Sequence, residues 1–142
     1  MLVLDESHLL SSEQLEQLRM LTDSQMDSRA TFACVLLGQP TLRRRLRQAT
    51  FAALDQRIAL RYTIEGMNLK ETGEYIAHHL KLAGGSDTLF NDDAIGLIHE
   101  FSRGLPRQVN NLATQALIAA YVTNSPICDE KAARAARAEL SE

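Results

Sequence analysis

The sequence predicts an α/β fold with a partial parallel sheet, followed by an all-α part. Up to about residue 66, short apolar runs that end in polar residues alternate with helix-type patterns. Strands separated by helices of this size imply parallel strands joined by crossovers. From about Met67 onward, apolar residues recur only every three or four positions, which indicates helices alone. We therefore expect an α/β part over residues 1–66 and a helical part over residues 67–142.

Length and composition are those of a globular chain. It has 142 residues, of which 45% are hydrophobic, and this is enough apolar material for a core. A net charge of -3 gives no global reason to expect a nucleic acid or an anionic membrane as partner. Cys34 and Cys128 are not spaced as a metal-binding pair, and Cys34 lies in an apolar run, where a buried reduced thiol is expected.

The N-terminus has no basic stretch before an apolar one, as a signal peptide would have. No apolar run approaches the ~20 residues of a membrane-spanning helix. We expect a cytoplasmic protein, and the sequence leaves open whether a longer parent protein associates with a membrane.

The first element is the apolar run of residues 2–4, which predicts a buried strand. Ser11 and Gln14 then have the spacing of a capping box and predict the start of a helix. Three leucines lie along one side of that helix: Leu15, Leu18 and Leu21.

Two more strands are expected in the α/β part. Residues 31–37 are an apolar run with a β-branched and an aromatic residue at one end and Gly38 after it, which predicts a central strand. Pro40 fits the first turn of the following helix, which carries Leu42, Leu46 and a cluster of arginines. Residues 60–64 alternate apolar and polar side chains, and this predicts a strand nearer the sheet edge.

Four helices are expected after Met67. The first has an apolar repeat from Leu69 to Ala83 and ends at Gly84-Gly85. The second begins at an Asn91 N-cap, the third follows a break at residues 104–106, and the fourth covers residues 129–140. The apolar stripes of the second and third helices are Ala94, Leu97, Ile98 and Phe101, and Val109, Leu112, Ala113, Ala116 and Ala120.

Asp5 and Glu6 directly follow the first predicted strand. An apolar strand ending in two acids is the Walker B pattern of nucleotide hydrolases, in which the first acid supports Mg²⁺ and the second polarises a water. Alone, the pair more often marks the start of a solvated loop. The Gly-rich phosphate loop that ends in Gly-Lys-Ser or Gly-Lys-Thr does not occur in these 142 residues. The pattern is therefore that of the second half of an ATPase.

Gln39 follows the second apolar run directly after Gly38. A polar amide in this position can reach a ligand at the carboxyl edge of the sheet, so Gln39 could contact a γ-phosphate or orient a water. The alternative is a bond to backbone in the strand-to-helix turn. His8, close behind Asp5 and Glu6, either senses the site or packs, and packing is the commoner role.

Arg57 precedes the predicted edge strand. An arginine there can point towards a neighbouring subunit's phosphates, as arginine fingers do. The alternative is a surface pair with Asp55 or Glu65, and Arg61 is a weaker candidate for the finger.

Arg107 closes the phrase Gly-Leu-Pro-Arg at the start of the third helix of the helical part. A guanidinium there can reach a phosphate and couple the nucleotide state to the position of the helical part. An isolated arginine at a helix start is usually solvated, but the full phrase, followed by Asn110 and Asn111, is more specific.

In this order, the four elements resemble motifs of the AAA+ ATPases: Walker B, sensor 1, the arginine-finger region and sensor 2, followed by a helical lid. The sequences of these segments are most similar to those of the ExeA/GspA-like subgroup, which includes secretion, pilus-biogenesis and transposition-linked ATPases. The matching phrases span residues 2 to about 122: residues 3–10, residues 35–40 with Leu42 and Arg43, and residues 56–58, 75–80 and 104–112.

The resemblance implies part of a P-loop AAA+ core in residues 1–66 and a lid with sensor 2 in residues 67–142. It implies ATP and Mg²⁺ as ligands of the intact parent, with Asp5 supporting the metal, Glu6 as catalytic base and Gln39 as γ-phosphate sensor. Arg57 would act on a neighbour's nucleotide and Arg107 from the lid.

The resemblance also implies partners. Because the P-loop half is missing from these residues, the chain alone is expected to bind no ATP tightly and to be inactive. The parent is expected to be a homo-oligomer that remodels a protein client in a secretion, pilus or transposition assembly. Gln39 departs from the asparagine or threonine common at sensor 1, and the role of Arg57 is transferred by position only.

Two other functions are compatible with the sequence. The chain could be a non-enzymatic interaction or oligomerisation module that pairs through its uncovered sheet. It could also be a DNA-binding adaptor that uses Arg43, Arg44 and Arg47, which lie near one helix face. For these arginines, contact with an adjacent subunit and plain solvation are alternatives, and solvation is the commoner in an acidic chain.

Overall fold

The computed structural model describes residues 1–22 and 32–140. The chain divides into two compact units, Met1–Tyr62 and Thr63–Glu142, a few residues before the boundary predicted near residue 66. Among the described residues, the first unit holds a small parallel sheet and three α-helices, and the second holds four α-helices. The predicted fold class, a partial parallel sheet followed by an all-α part, is therefore confirmed.

The sheet of the first unit has two strands within the described ranges. β1, Leu2–Leu4, and β2, Cys34–Leu36, run parallel in a register that places Leu4 opposite Leu36. The Leu37 N–H extends the ladder by donating to the Leu4 carbonyl at 2.8 Å. Because parallel strands point the same way, the residues that follow β1 and β2 lie at one edge of the sheet.

β2 is shorter than the strand predicted over residues 31–37. Leu37 lies outside it, and Thr31 lies outside the described residues. Val3 and Val35 are partners in the register, and both are exposed. One face of the sheet is therefore uncovered among the described residues.

The α-helices in the described part of the first unit are α1, Ser12–Thr22; α2, Pro40–Leu46; and α3, Ala52–Arg57. The predicted capping box precedes α1, since Ser11 Oγ accepts the Gln14 N–H at 3.1 Å and Gln14 Oε1 accepts the Ser11 N–H at 2.7 Å. Short 3-10 turns at Ser7–Leu9 and Ala49–Phe51 link these elements.

The core of the first unit is small. Its buried side chains are Leu15, Leu42, Leu46, Phe51 and Leu54. Leu18 packs against them partly buried, whereas Leu21 is 60% exposed. The predicted leucine side of α1 is thus buried only near the start of the helix.

The prediction of a strand over residues 60–64 is wrong. These residues form neither helix nor strand, and Leu60, Tyr62 and Ile64 are 83%, 86% and 85% exposed. Alternation produces a strand only where a neighbouring strand supplies hydrogen bonds and one face is buried. No described strand pairs with this segment, so its apolar side chains remain in solvent.

The helices of the second unit are α4, Leu69–Leu82; α5, Asp92–Ser102; α6, Pro106–Val122; and α7, Glu130–Glu139. The predicted N-cap of α5 is present, because Asn91 Oδ1 accepts the Ala94 N–H at 2.8 Å. Gly84, after the end of α4, has a φ of 78°, as expected for a glycine that ends a helix.

The core of the second unit is larger. Its twelve buried residues are Ile76, Phe90, Ala94, Ile98, Val109, Leu112, Ala116, Ala120, Cys128, Ala132, Ala133 and Ala136. Those in α5 and α6 all belong to the predicted stripes, whereas Leu69 in α4 is 51% exposed. Within residues 1–22 and 32–140, no helix has the length and apolar content to cross a membrane.

Candidate functional site

The polar residues that follow the two strands meet at one sheet edge. Asp5 and Glu6 come directly after β1, and Gln39 comes three residues after the end of β2. All three are exposed. The parallel register thus brings together the first three residues that the sequence predicts for the site.

Glu6 has an unusual backbone conformation. Its φ of 52° and ψ of 31° lie in the left-handed region, which costs a residue other than glycine on the order of 1 kcal/mol or more. The Glu6 N–H donates to Asp5 Oδ1 at 2.8 Å, and this bond supports the turn. The Glu6 side chain is 63% exposed, so its carboxylate can reach a ligand in solvent.

Ser7 joins the ends of the two strands. It is fully buried, its hydroxyl donates to the Leu4 carbonyl at 2.7 Å, and its N–H donates to the Leu37 carbonyl at 2.7 Å. Both of its polar groups therefore have partners, as burial requires. The turn that carries Glu6 is fixed to both strands through this residue.

His8 lies between the acids and Gln39. Its Nδ1 is 3.2 Å from Glu6 Oε2 and 3.5 Å from the backbone nitrogen of Gln39. The side chain is 13% exposed. The sequence favours packing as the role of His8. The structure adds contacts of its ring with the Glu6 carboxylate and the Gln39 backbone.

Gly38 allows this approach. A Cβ at position 38 would lie 3.1 Å from the backbone nitrogen of His8 and 3.2 Å from Leu42 Cδ2. Both distances are shorter than ordinary van der Waals contacts. A side chain at position 38 would therefore press on His8 and Leu42, which would have to move by a few tenths of an ångström.

Arg57 is the last residue of α3, in the same unit as the sheet, and is half-buried. Its neighbour Asp55 pairs with Arg61, whose Nη2 lies 2.9 Å from Asp55 Oδ1 and also donates to the Asp55 carbonyl. The weaker finger candidate, Arg61, is thus engaged within the chain. The finger role of Arg57 stays a prediction.

Arg107 lies in the second unit, in the first turn of α6, and is exposed. Its position depends on Gly104, whose φ is 69° and whose carbonyl accepts the Met67 N–H at 2.9 Å. A Cβ on Gly104 would lie 1.9 Å from the Met67 carbonyl oxygen. The close contact between the backbones of Gly104 and Met67 therefore explains why residue 104 is a glycine.

The arginines of α2 differ in their surroundings. Arg43, Arg44 and the following Arg47 are exposed, in agreement with a polar helix face. Arg45 instead donates to the Leu10 carbonyl and, at 3.1 Å, to Ser12 Oγ, and its guanidinium lies 5.5 Å from the centre of the Phe51 ring. Arg45 is thus part of the packing of the first unit.

Asp5 and Glu6 could hold Mg²⁺ only together with ligands from outside the described residues. Among the residues that the structure describes, no three or more His, Cys, Asp or Glu side chains form a metal-binding group. Asp5 Oδ1 accepts the Glu6 N–H, and a carboxylate has further lone pairs for a metal-bound water. A single carboxylate suits Mg²⁺ whose other ligands are waters and nucleotide phosphates.

Comparisons with known proteins match the part of the chain that carries this sheet edge. The profile of the AAA domain family matches residues 1–46, which include both strands and all three residues at the sheet edge. General secretion pathway protein A of Aeromonas hydrophila is 36% identical over 123 residues, which cover 87% of this chain and 22% of that protein. The chain thus spans less than a quarter of the length of this relative.

A solved structure has a similar fold. A point mutant of RuvB from Thermotoga maritima matches 94% of this chain and 42% of its own length, with a TM-score of 0.65 and 20% identity. At this identity the likeness concerns the fold alone. The family profile and the relative above support an AAA+, ExeA/GspA-like protein, and the solved structure supports the fold.

Proposed function

We propose that this chain is the part of an AAA+ ATPase that runs from Walker B to sensor 2, and that the parent protein hydrolyses ATP to drive remodelling of a secretion assembly. One observation carries the proposal. Asp5, Glu6 and Gln39 lie at the carboxyl edge of paired parallel strands, where ligands of α/β sheets bind.

The residues at this edge have complementary chemistry for hydrolysis. The exposed Glu6 carboxylate can accept a proton from a water that attacks the γ-phosphate, as a general base does. The Gln39 side-chain amide can donate to a phosphate oxygen or hold that water. Asp5 would hold Mg²⁺ through water, and the metal when bound neutralises phosphate charge.

Two arginines complete the proposed machinery. Arg57 would reach the nucleotide of a neighbouring subunit, and Arg107 would contact phosphate from the lid. Planar guanidinium groups bind phosphate through paired hydrogen bonds, and an arginine that acts on the transition state raises the rate of phosphoryl transfer about 10³-fold or more. The role of Arg57 on a neighbour's nucleotide predicts a homo-oligomeric parent.

The chain alone should bind ATP weakly and turn it over negligibly. Its 142 residues contain no Gly-x-x-x-x-Gly-Lys-Ser/Thr motif, and that loop supplies most backbone contacts to nucleotide phosphates. A P-loop half is therefore the first proposed partner. The exposed pair Val3 and Val35 offers an apolar face that such a partner would cover.

A secretion role rests on the name of the relative, General secretion pathway protein A. We extend that role to this chain as a proposal, with a protein client and a cytoplasmic location. Pilus and transposition assemblies are the alternatives within the subgroup.

A chimera tests the ATPase role. The matched region of the Aeromonas hydrophila relative is replaced by this chain, and phosphate release is measured beside the intact relative and this chain alone. We expect turnover by the chimera, none by the chain alone, and a loss of about 10²-fold or more in kcat on Glu6→Gln. Glu13→Gln, an exposed acid on α1, is the matched control and should change nothing.

Two results would contradict the proposal. Robust turnover by the 142 residues alone would refute the expected inactivity. A folded chimera that releases no phosphate, beside an active relative, would refute the ATPase role and favour a non-enzymatic interaction module. Salt-dependent DNA retardation by this chain that is lost on replacing Arg43, Arg44 and Arg47 by alanine would instead favour the adaptor.

A further inference from the structure

His8 contacts two parts of the candidate site through a single atom. Nδ1 lies 3.2 Å from Glu6 Oε2 and 3.5 Å from the Gln39 backbone nitrogen. The ring is largely shielded from water, with 13% of the side chain exposed. It also projects from a fixed backbone, because the preceding Ser7 is buried and bonded to both strand ends.

The two contacts require opposite states of Nδ1. To bond the Glu6 carboxylate, Nδ1 must carry a hydrogen and donate it. To bond the Gln39 N–H, Nδ1 must present its lone pair and accept. One ring nitrogen cannot do both, so the position of the proton on the imidazole decides which bond forms.

We propose that His8 is a positioning residue that alternates between Glu6 and Gln39. In the holding state, Nδ1–H donates to Glu6. In the releasing state, the Nδ1 proton has left to solvent, Nε2 has taken a proton from solvent, and Nδ1 accepts the Gln39 N–H. Each of the two proposed states has one proton on the ring, on Nδ1 or on Nε2, so the exchange needs no reactant other than water.

This exchange links the two strand ends chemically. In the holding state, the bond from His8 Nδ1–H occupies Glu6 Oε2 and fixes the position of the carboxylate, so the holding state restrains Glu6. A displacement of the Gln39 turn towards His8 favours the releasing state. If the proposed ATPase function holds, a ligand at Gln39 would thereby control the availability of Glu6, and this consequence alone rests on that function.

Nuclear magnetic resonance of the full 142-residue chain tests the exchange without any nucleotide. Long-range ¹H–¹⁵N correlations report the tautomer of each histidine, and the signals of His8 are identified by their loss in His8→Asn. We expect Nδ1–H in the unsubstituted chain. Glu6→Ala removes the acceptor, so we expect Nε2–H and a Gln39 amide proton shifted to higher frequency by its new hydrogen bond.

Two further variants make this result decisive. Glu6→Gly also removes the carboxylate and suits a φ of 52°, so it replaces Glu6→Ala if that variant is poorly folded. Glu13→Ala removes an exposed carboxylate elsewhere on the first unit and should leave the His8 signals unchanged. The same His8 tautomer with and without the Glu6 carboxylate would overturn the proposal.

The chimera supplies a kinetic test that separates the two proposals. An asparagine at position 8 places its amide near Nδ1, whereas a glutamine reaches the position of Nε2. We expect the kcat of His8→Gln to exceed that of His8→Asn about threefold or more, because the asparagine amide can still donate to Glu6 and the glutamine amide cannot, with little change in KM. A kcat of His8→Gln equal to or below that of His8→Asn overturns the alternation. A chimera without turnover refutes the ATPase role, while the tautomer measurement still tests His8.

Discussion

In the first unit, Gly38 and Arg45 each lie close to backbone groups that are distant in the sequence. Gly38 lies so close to the backbone of His8 that a methyl group would not fit without a shift. Arg45 bonds to the Leu10 carbonyl and Ser12 Oγ and thereby ties α2 to the segment that precedes α1. Gly38 thus lies beside the turn that carries Glu6, whereas Arg45 holds residues that follow this turn.

Gly38→Ala should destabilise the first unit. The added methyl would press on the backbone of His8 and on Leu42, a buried core residue, and overpacking of this kind costs about 1–3 kcal/mol. Urea unfolding followed by circular dichroism measures the effect. Gln39→Ala changes the adjacent exposed position and should stay within about 0.5 kcal/mol. Equal stabilities of the two variants would show that the turn adapts freely.

Arg45→Met should also reduce stability. Methionine keeps much of the apolar stem but leaves the Leu10 carbonyl without this donor, and a hydrogen bond to a charged group is worth about 1.5–3 kcal/mol. Arg44→Met, at an exposed position of the same helix, is the matched control, with an expected change within about 0.5 kcal/mol. Thermal unfolding of both variants compares them, and equal midpoints would remove Arg45 from the packing of this unit.

At the scale of elements, local signals predict helices better than strands. The capping box before α1, the Asn91 cap and Pro106 are determined by residues within four positions of each other. The expected strand over residues 60–64 needs a partner strand, which periodicity cannot supply. α3 has no side-chain cap and only six residues, so no pattern indicates it before the fold is known.

In the candidate site, too, some residues can be predicted from local sequence and others require the tertiary structure. Asp5, Glu6 and Gln39 are predictable because each directly follows or closely follows an apolar run. The contact of His8 with Gln39 joins residues 31 positions apart and depends on the register of β1 and β2. The roles of Ser7 and His8 thus require tertiary structure, although their place behind Asp5 and Glu6 marks them for inspection.

The start of α6 should depend strongly on Gly104. Gly104→Ala would place a methyl 1.9 Å from the Met67 carbonyl and force alanine to a φ of 69°, so we expect a loss of about 2 kcal/mol or more. Gly96, inside α5, has no atom within 4 Å of its Cβ position. Gly96→Ala should therefore stabilise the second unit by about 0.5–1 kcal/mol. Urea unfolding compares them, and a neutral Gly104→Ala would disprove the close backbone contact.

For the whole molecule, each unit carries one cysteine. Cys34 is half-buried in β2 of the first unit, and Cys128 is 2% exposed in the core of the second. Burial raises the pKa of both thiols, and for Cys128, with a smaller effect of the nearby Asp129 carboxylate, to about 11. Thiolates are the reactive species, so the two groups report separately on the opening of each unit.

Cys34 should react with a thiol reagent faster than Cys128 in the folded chain. Among the described residues, the first unit has five buried core side chains and the second has twelve buried core residues, so the first unit should open at a lower free energy. Mass spectrometry after timed alkylation near pH 8 measures both rates. The rates should become similar in concentrated urea, and similar rates in the folded chain would show that the units open together.

The stability of the second unit should fall as the pH rises from about 9 to 11. The ordinary pKa of a cysteine thiol is 9.0, and burial first, then the Asp129 charge, raise that of Cys128 to about 11. In this window the unfolded chain loses the thiol proton while the folded chain keeps it, so the unfolded state gains stability relative to the folded one. Below pH 9 both states are protonated and this contribution is constant. Tyrosines and lysines also titrate in this window, so Cys128→Ala serves as the control. Urea midpoints measured across the window should decline more steeply in the unsubstituted chain than in this variant, because only the unsubstituted chain has the Cys128 thiol. Parallel declines would mean that the Cys128 thiol ionises as readily in the folded state as in the unfolded one.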